Sequence, residues 1–505
     1  MDYRGQQPAC PPPSQPATLP SKKNSASILS SLQQLWRECA HSFAQHRLAD
    51  RAQALSLSSL LCFGRHTVTG LLTTSGCEFQ DWTATYRLFS QGRLPVDDIF
   101  AVVRRAILAE LPPSAPFSIA VDDSLLRKSG IRIPGVAWRR DPLGPPFQCN
   151  FVRAQRFLQL SAAIPLADGA YRMIPVAFRH APPPPRPAPN ASADACEDYR
   201  KAARLARLPL LAAQQIAALR QALDAEPSGA QRPLHVSVDG GYTNETVLKN
   251  LPARTILIGR IRKDAKLYFL PQAAPAPQRG RPRRYGAPAP TPEQIRTDES
   301  TPWKTIDVCI SGAPHQMRVK RVGPVLWRTA GLAQLLQAIV IAPLSYRLRK
   351  NSKLLYRRPA FLICTDAEMD LRSVVQRYVQ RWDIEVNFRE EKTLLGVGQA
   401  QVRNAQSVQA VPALQVASYS LLLLATLRAL KTATDSDLLP APKWNPSPPQ
   451  HRVSTPRAIN QLRAELWGRA LGLTNFSGFV AQRTPATKSD KFLPDLPSAV
   501  LYAVN

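Results

Sequence analysis

The sequence lacks the cysteine groupings that mark structural zinc sites and disulfide-rich proteins. Its eight cysteines stand singly along 505 residues, without a CxxC pair. This spacing argues against a zinc site and against a disulfide scaffold. Unpaired cysteines of this kind are typical of a reducing compartment.

The sequence also lacks a segment that predicts insertion into a membrane. Residues 1–26 are polar and proline-rich, without the apolar stretch of a signal peptide, and their composition predicts a disordered tail. The most apolar run, residues 416–430, is too short to span a bilayer and predicts a buried core helix. We therefore expect a cytoplasmic or nucleoid-associated protein with no membrane partner.

Acidic residues are scarce relative to basic ones. The 36 Asp and Glu face 65 Lys and Arg, so the formal net charge is +29 and the pI is about 10.3. Residues 260–358 alone hold 20 Lys and Arg against 5 Asp and Glu. A surplus of this size indicates a polyanionic partner, most often nucleic acid. The alternative is an arginine-rich composition without such a partner.

Hydrophobic periodicity divides the chain and predicts an α/β fold. Apolar residues recur at helical spacing over 27–112, and residues 113–259 alternate as strands of a mixed sheet with intervening helices. The basic stretch 260–358 reads as a β-rich insertion that interrupts this unit. Residues 359–432 resume it with a strand and one long helix, and residues 433–505 form a proline-rich tail with one amphipathic helix.

Carboxylates stand at the ends of two predicted strands. The apolar alternation of "FSIAVDDSLL" runs into Asp122, with Asp123 beside it, and that of "LHVSVDGGY" runs into Asp239. Strand ends of one sheet can meet, and a third carboxylate from a packed helix would complete a cluster. Carboxylates without His or Cys suit hard cations such as Mg²⁺ or Mn²⁺. The simpler interpretation is that these acids are turn formers.

The long helix that includes "RYVQRWDIEVNFREEKTLLG" supplies the third carboxylate. At helical spacing four of its residues fall within an arc of roughly 60°, with Arg389 nearby; they are Tyr378, Arg381, Glu385 and Lys392. A carboxylate among cations suits a site that holds a metal and grips phosphate. The alternative is a solvated helix face joined by i,i+4 pairs.

Two further features suggest contact with DNA. The segment "RGRPRRYG" places Arg279, Arg281 and Arg283 around a Gly-Arg-Pro core that can lie in an AT-rich minor groove or track phosphates. Trp303 and Trp327, within the insertion, could stack on a base or belong to the core of a small sheet.

The motifs together resemble a known family. "YVQRWDIEVNFREEK" matches the pattern Y-x2-R-x3-E-x6-K, the YREK motif, of the insertion-sequence "four" group of bacterial DDE transposases and its close relatives. "DDSLLRKSG" and "VSVDGGY" resemble the two aspartate motifs of that group, and "GRHTVTGLL" with "YRLFSQGRL" resembles its N-terminal region. The resemblance covers roughly residues 50–430.

The resemblance implies an RNase H-like catalytic core over 113–259 and 359–432, a β-rich insertion over 260–358 and a helical DNA-binding domain over 27–112. Asp122, Asp239 and Glu385 would form the catalytic triad and bind two Mg²⁺ or Mn²⁺ ions, with Asp123 as the other choice for the first position. Tyr378, Arg381 and Lys392 would bind the transposon end.

The implied chemistry is cleavage at the ends of an insertion sequence followed by strand transfer into target DNA. Relatives use an insertion tryptophan to stack a flipped base while a hairpin forms, and Trp303 and Trp327 are the candidates. The implied partners are double-stranded DNA, as terminal inverted repeats and target, and a second copy in a synaptic homodimer. The alternatives are a catalytically inactive DNA-binding regulator and a stand-alone RNase H-like nuclease or junction resolvase; the charge makes a glycosidase remote.

Overall fold

A computed structural model describes residues 27–141, 144–145, 147–272, 283–349, 351–431, 438–442, 453–470 and 496–503. The expected tail 1–26 lies outside these residues, as does most of 433–505. The helices are α1 Ile28–Ala40, α2 His46–Leu61, α3 Val68–Thr74, α4 Thr83–Ser90, α5 Val96–Glu110, α6 Ala193–Leu205, α7 Leu208–Asp224, α8 Pro227–Ala230, α9 Glu245–Lys249, α10 Pro292–Thr297, α11 Leu371–Gln380, α12 Asp383–Thr393, α13 Ser407–Leu430, α14 Thr455–Ala470 and α15 Leu496–Leu501.

Thirteen strands are described. They are β1 Phe117–Arg127, β2 Ala137–Arg140, β3 Phe151–Pro165, β4 Tyr171–His180, β5 Leu234–Val238, β6 Thr255–Arg260, β7 Leu267–Tyr268, β8 Lys304–Ile310, β9 Ala313–Trp327, β10 Gly331–Ile341, β11 Ser345–Tyr346, β12 Leu355–Tyr356 and β13 Ala360–Cys364. All but β11 and β12 belong to one sheet.

The first half of this sheet has strand order β4–β3–β1–β5–β6. Strands β1, β5 and β6 are parallel, whereas β3 and β4 run antiparallel to their neighbours. The apolar alternation of β1 and β5 buries both strands between layers of helices. The result is a mixed α/β sheet flanked by helices, which is consistent with the expected RNase H-like fold.

The second half of the sheet continues without a break. Strand β13 pairs with β6 and β10, β10 pairs with β9, and β7 and β8 share the outer edge of β9. The basic segment 260–358 therefore extends the same sheet with four of its strands. Its division from the core as a separate domain stays a prediction.

Helix α13 is the buried helix expected around residues 416–430. It is long and apolar enough to cross a membrane by length and composition, yet 89% of its most apolar window is buried inside the protein, as in the core helix of a soluble protein. It packs against α1, α2, α4 and α5 on one side and against β4 and α12 on the other. The N-terminal helices and the sheet thus share one hydrophobic core.

The prediction of a single long helix that includes residues 377–396 is wrong, because the helix is interrupted between α11 and α12. At Arg381 and Trp382 the backbone amides bond to carbonyls three residues earlier, which forms a tight turn. Helix α11 packs on β5, β6 and β8, whereas α12 packs on β1 and β4. The bend lets the two helices cover different strands.

Two buried glutamates anchor α12. Glu390 accepts hydrogen bonds from Tyr419 Oη at 2.6 Å and Thr455 Oγ1 at 2.5 Å. Glu391 accepts from Gln159 Nε2 of β3 at 2.9 Å. Burial raises the pKa of Glu391 to about 8, and the neighbouring Glu390 adds to this rise. These contacts fix α12 against the sheet, α13 and α14.

Arg232 holds β1 and β5 together where both strands begin. Its buried guanidinium donates to the carbonyls of Pro112 at 2.5 Å, Ala115 at 2.6 Å and Ser228 at 2.6 Å, with a longer bond to Leu111 at 3.4 Å. The segment before β1 is thereby tied to the residue that precedes β5. This contact supports the register of the two strands.

Replacing Arg232 with leucine is expected to destabilise the protein by about 3 kcal/mol, because several buried carbonyls lose a charged donor. Chemical denaturation followed by circular dichroism measures the change in the free energy of unfolding. The exposed Arg186 provides a control, and Arg186→Leu should alter stability little. Equal effects of the two substitutions would contradict this role for Arg232.

Glu391→Gln is expected to change how stability depends on pH. Since folding raises the pKa of Glu391 from 4.5 to about 8, the carboxyl contributes stability that is complete below about pH 4.5 and is lost as pH rises through about 8. The variant should gain on the wild type by about 1.4 kcal/mol per pH unit across this window. Denaturation at pH 5.5, 6.5 and 7.5 measures this, with Glu197→Gln, on exposed α6, as the control. Parallel pH profiles for wild type and Glu391→Gln would refute the buried, protonated state.

Candidate active site

Asp122 and Asp239 lie side by side on two adjacent parallel strands. Val121 of β1 pairs with Val238 of β5, and each aspartate is the next residue of its chain. The Asp239 carboxylate accepts hydrogen bonds from the backbone amides of Gly241 at 2.9 Å and Tyr242 at 3.3 Å. The turn after β5 therefore fixes the second carboxylate at the level of the first.

The Asp122 carboxylate is largely buried and is coupled to other charges. Its Oδ2 accepts from Arg381 Nη1 at 3.1 Å. Burial raises the pKa of Asp122 to about 7; Arg381 opposes the rise, and repulsion from Asp239 and Glu385 adds to it. The structure thus brings all three predicted carboxylates close enough to interact electrostatically.

Asp123 is engaged elsewhere. Successive residues of a strand point to opposite faces of the sheet, and the Asp123 carboxylate accepts from Tyr242 Oη at 2.6 Å and forms an ion pair with Arg156 Nε at 3.2 Å. Burial, together with the negative charge of Asp123, raises the pKa of the Tyr242 phenol, which stays protonated as a donor. Asp122 is therefore the member of the pair that faces Glu385 and Arg381.

Glu385 lies in the first turn of α12, where a carboxylate is favoured by the helix dipole. Ile384 and Phe388 bury the inner side of this helix against Ala120, Ala163 and Met173 of the sheet. The Glu385 side chain is exposed, and within the described residues its carboxylate has no hydrogen bond or ion pair. It is accessible to a ligand.

The structure separates the cations and the tyrosine that were expected on one helix face. Tyr378 packs in a second hydrophobic cluster and is 8% exposed. Arg381 is also buried, with its guanidinium 5.8 Å from the Tyr378 ring centroid and 5.4 Å from that of Trp382. Lys392 and Arg389 are exposed. DNA binding by these residues stays a prediction.

The two tryptophans of the basic segment have different surroundings. Trp303 is half-buried beneath Lys320, whose Nζ lies 4.6 Å from the ring centroid. Trp327 lines an open cleft of about 1010 Å³ that begins at Gly240, the residue after Asp239. Arg283 is exposed, whereas Arg279 and Arg281 lie outside the described residues.

The cleft beside Gly240 is rich in cations. Arg262 pairs with Asp264 at 3.0 Å, and Arg296 pairs with Glu293 at 2.7 Å. Three further cations have no ion-pair partner in the described part of the chain and remain available to an anion; they are Arg260, Lys263 and Arg358.

Lys128 lies near this site, directly after the strand that carries Asp122, and the sequence analysis gave it no role. Its buried Nζ donates to the carbonyls of Gly398 at 2.7 Å and Ala400 at 2.6 Å, and burial lowers its pKa to about 8. Gly398 has a φ of +102° and approaches Leu126 closely, so the loop requires glycine there. Lys128 thus joins the end of β1 to the loop after α12. The sequence feature that could have identified Lys128 is its position directly after an apolar strand.

The donor set of this site fits a hard divalent cation. Three carboxylates supply only oxygen ligands, as Mg²⁺ and Mn²⁺ prefer, and Asp122 sits among like charges that a cation would neutralise. Among the described residues, however, no group of three His, Cys, Asp or Glu side chains is close enough to form a ready metal site. The Arg381 guanidinium supplies the positive charge beside Asp122 instead.

Comparison with known proteins places this geometry in a family. The family described as DDE superfamily endonuclease matches residues 38–333, a span that includes Asp122 and Asp239 and ends before Glu385. No curated protein matches the chain. Because the match covers more than half of the sequence, the chain belongs to the DDE superfamily endonuclease family.

Proposed function

We propose that this protein is an insertion-sequence transposase of the YREK type, which cleaves DNA at the ends of its element and transfers the strands to target DNA. Its family implies an endonuclease of the nuclease or transposase type that acts on DNA. The observation that carries the proposal is the alignment of Asp122 with Asp239 on β1 and β5, with the negative charge of Glu385 on α12 helping to raise the pKa of Asp122.

In this proposal Asp122, Asp239 and Glu385 would hold two divalent cations, which when bound would supply Lewis-acid activation of a hydroxyl and stabilisation of the leaving oxygen. The residues of the chain provide the frame for this chemistry. The turn amides of Gly241 and Tyr242 orient Asp239, and Lys128 and the buried Glu391 hold the loop and helix around Glu385. The exposed Glu385 carboxylate would be open to such a cation.

Arg381 has a second part in the proposal. It now neutralises Asp122 at 3.1 Å, and a guanidinium at this position can grip a phosphate oxygen beside the cleaved bond. The exposed Lys392 and Arg389 extend the positive charge along α12 toward the DNA backbone. Tyr378 would support Arg381 through its ring rather than through an exposed hydroxyl.

Of the two tryptophans, the surroundings favour Trp327 for holding an unpaired base. It lines the cation-rich cleft next to Asp239, whereas Trp303 already has a lysine over its ring. An aromatic wall with free cations suits a base together with its phosphate. A synaptic homodimer and a bacterial cytoplasmic location belong to the same proposal.

A second candidate is a DNA-binding protein of this family that does not cleave. The observation in its favour is the pairing of Arg381 with Asp122 together with the absence, within the described residues, of a ready three-ligand metal site. Cleavage assays separate the two candidates.

Asp122→Asn, Asp239→Asn and Glu385→Gln are each expected to reduce cleavage of a duplex carrying the element's terminal sequence by at least about 100-fold. Binding of the same duplex should persist, because each change removes negative charge near phosphates. The measurement is strand cleavage in Mg²⁺ or Mn²⁺ on sequencing gels, alongside fluorescence anisotropy.

Asp123→Asn is the matched control and should keep cleavage within about tenfold of the wild type, since its carboxylate is already engaged by Tyr242 and Arg156. If Asp123→Asn abolished cleavage while Asp122→Asn did not, the assignment of the first ligand would be reversed. A wild-type protein that binds but does not cut would establish the second candidate.

Trp327→Ala is expected to slow formation of a hairpin end about tenfold, the loss anticipated for one base–aromatic stack, and to leave the first nick unchanged. Separating nicked and hairpin products on denaturing gels measures both steps. Trp303→Ala is the matched control. A hairpin defect confined to Trp303→Ala would show that the cleft beside Gly240 does not hold the base.

A further inference from the structure

Strand β2, at an outer edge of the sheet, carries a surface of exposed aromatic rings and arginines. We define the edge patch as Trp138 and Arg140 of β2 with Phe151 and Arg153 of β3. In the strand register Trp138 lies opposite Arg153, and Arg140 lies opposite Phe151. Residues opposite each other in an antiparallel pair share a face, so rings and guanidinium groups alternate across one small surface.

The edge patch is open to a partner. Trp138 is 67% exposed and Phe151 is 59% exposed, which is unusual for rings of this size. Arg140 is exposed and has no ion-pair partner among the residues that the structure covers. Arg153 plays a supporting part: it donates to the carbonyls of Ser129 and Gly130 and lies 6.0 Å from the Trp138 ring centroid. The exposed indole thus lies beside a guanidinium that is itself fixed by two carbonyls.

The edge patch lies on the same face of the sheet as Asp122. Asp122 pairs with Gln159 of β3, and Gln159 is six residues from Arg153 along that strand. Because side chains alternate with a period of two, an even separation keeps both on one face. Six residues of strand span about 20 Å, which equals about six base pairs of duplex at 3.4 Å each.

The charge around the edge patch selects the class of partner. Residues 127–153 contain six Lys and Arg against one acid, Asp141, and that acid is paired with Arg127 at 2.8 Å. An apolar partner would leave the exposed Arg140 without an anion, whereas DNA offers it a phosphate and offers sugar or base surfaces to the two rings.

We propose that the edge patch is a DNA-binding surface that contacts the duplex about six base pairs from the bond cut at Asp122. The inference rests on the proposed function, because it takes Asp122 as the reference point for the cleaved bond. Trp138 and Phe151 make the apolar contacts, Arg140 binds a backbone phosphate, and Arg153 is a positioning residue that orients Trp138.

The test is DNA-binding affinity as a function of duplex length. Three fluorescent probes carry the element's terminal sequence. The long probe extends 20 base pairs on each side of the cut, and each of the two short probes is shortened to four base pairs on one side, a different side in each. Affinity is measured by anisotropy without divalent metal for wild type, Trp138→Ala and Arg140→Ala. Tyr356→Ala is the control, since Tyr356 is 65% exposed but belongs to the separate two-stranded sheet of β11 and β12.

Each patch variant should bind the long probe about tenfold more weakly than the wild type does. On one of the two short probes the variants and the wild type should bind alike, because the contact lies on the missing DNA. Trp138→Phe and Arg140→Lys should recover most of the lost affinity. Thermal melting checks that the variants fold.

Unchanged affinity for the long probe would overturn the proposal, and so would an equal loss on all three probes. Cleavage in Mn²⁺ distinguishes this failure from failure of the proposed function. If the wild type and the variants cut and bind alike, the protein is a nuclease as proposed, but the edge patch does not contact DNA. If the wild type neither binds nor cuts, the proposed function fails and the inference fails with it.

Discussion

The parallel pairing of β1 with β5 is the constraint on which the candidate site depends. The pairing of Val121 with Val238 sets Asp122, within β1, level with Asp239, the residue that follows β5. A shift of one residue would move Asp239 by about 3.3 Å and turn the neighbouring side chains to the other face. Arg232, which binds the segments leading into both strands, acts on the far end of this pair. Arg232 at one end of the paired strands thus helps to set the positions of Asp122 and Asp239 toward the other end.

The position of Arg381 follows from the cost of placing negative charge where Asp122 lies. A buried carboxylate near two others is unfavourable unless a cation compensates it. The chain supplies that cation from the turn between α11 and α12, where Arg381 can face the sheet while both helices keep their own packing surfaces. The break in the helix is therefore what allows the ion pair between Arg381 and Asp122 to form.

Much of the fold follows from local pattern. The apolar alternation before Asp122 and before Asp239 forms β1 and β5, and β5 ends directly before Asp239 as expected. The prediction that the other strand ends at Asp122 is wrong, because β1 continues to Arg127 by pairing with β3. Asn244 caps the short helix α9, as its position predicts. The amphipathic stretch beyond residue 453 forms α14, and the buried helix around residues 416–430 is also confirmed. These elements are set by periodicity and by capping chemistry within a few residues, which a sequence displays directly.

The features that the sequence did not predict depend on contacts between residues distant in sequence. Helical spacing put Tyr378, Arg381, Glu385 and Lys392 on one face, but the turn at Arg381 depends on Asp122, more than 250 residues earlier. Strand β10 reads as an apolar run without strict alternation, and only pairing with β9 and β13 defines it. The choice between Asp122 and Asp123 likewise depends on Tyr242 and Arg156, whose approach no local pattern encodes.

Helix α13 has a consequence for how this protein is made. It supplies a shared interior to the N-terminal helices and to the sheet, yet it spans Ser407–Leu430 and follows all of those elements in sequence. During synthesis the earlier segments leave the ribosome without the helix that covers them, so neither layer can complete its packing until α13 has been translated. Helix α12, which carries Glu385, likewise needs Tyr419 of α13 to anchor Glu390. Translation products truncated before α12 would therefore lack both Glu385 and the shared interior.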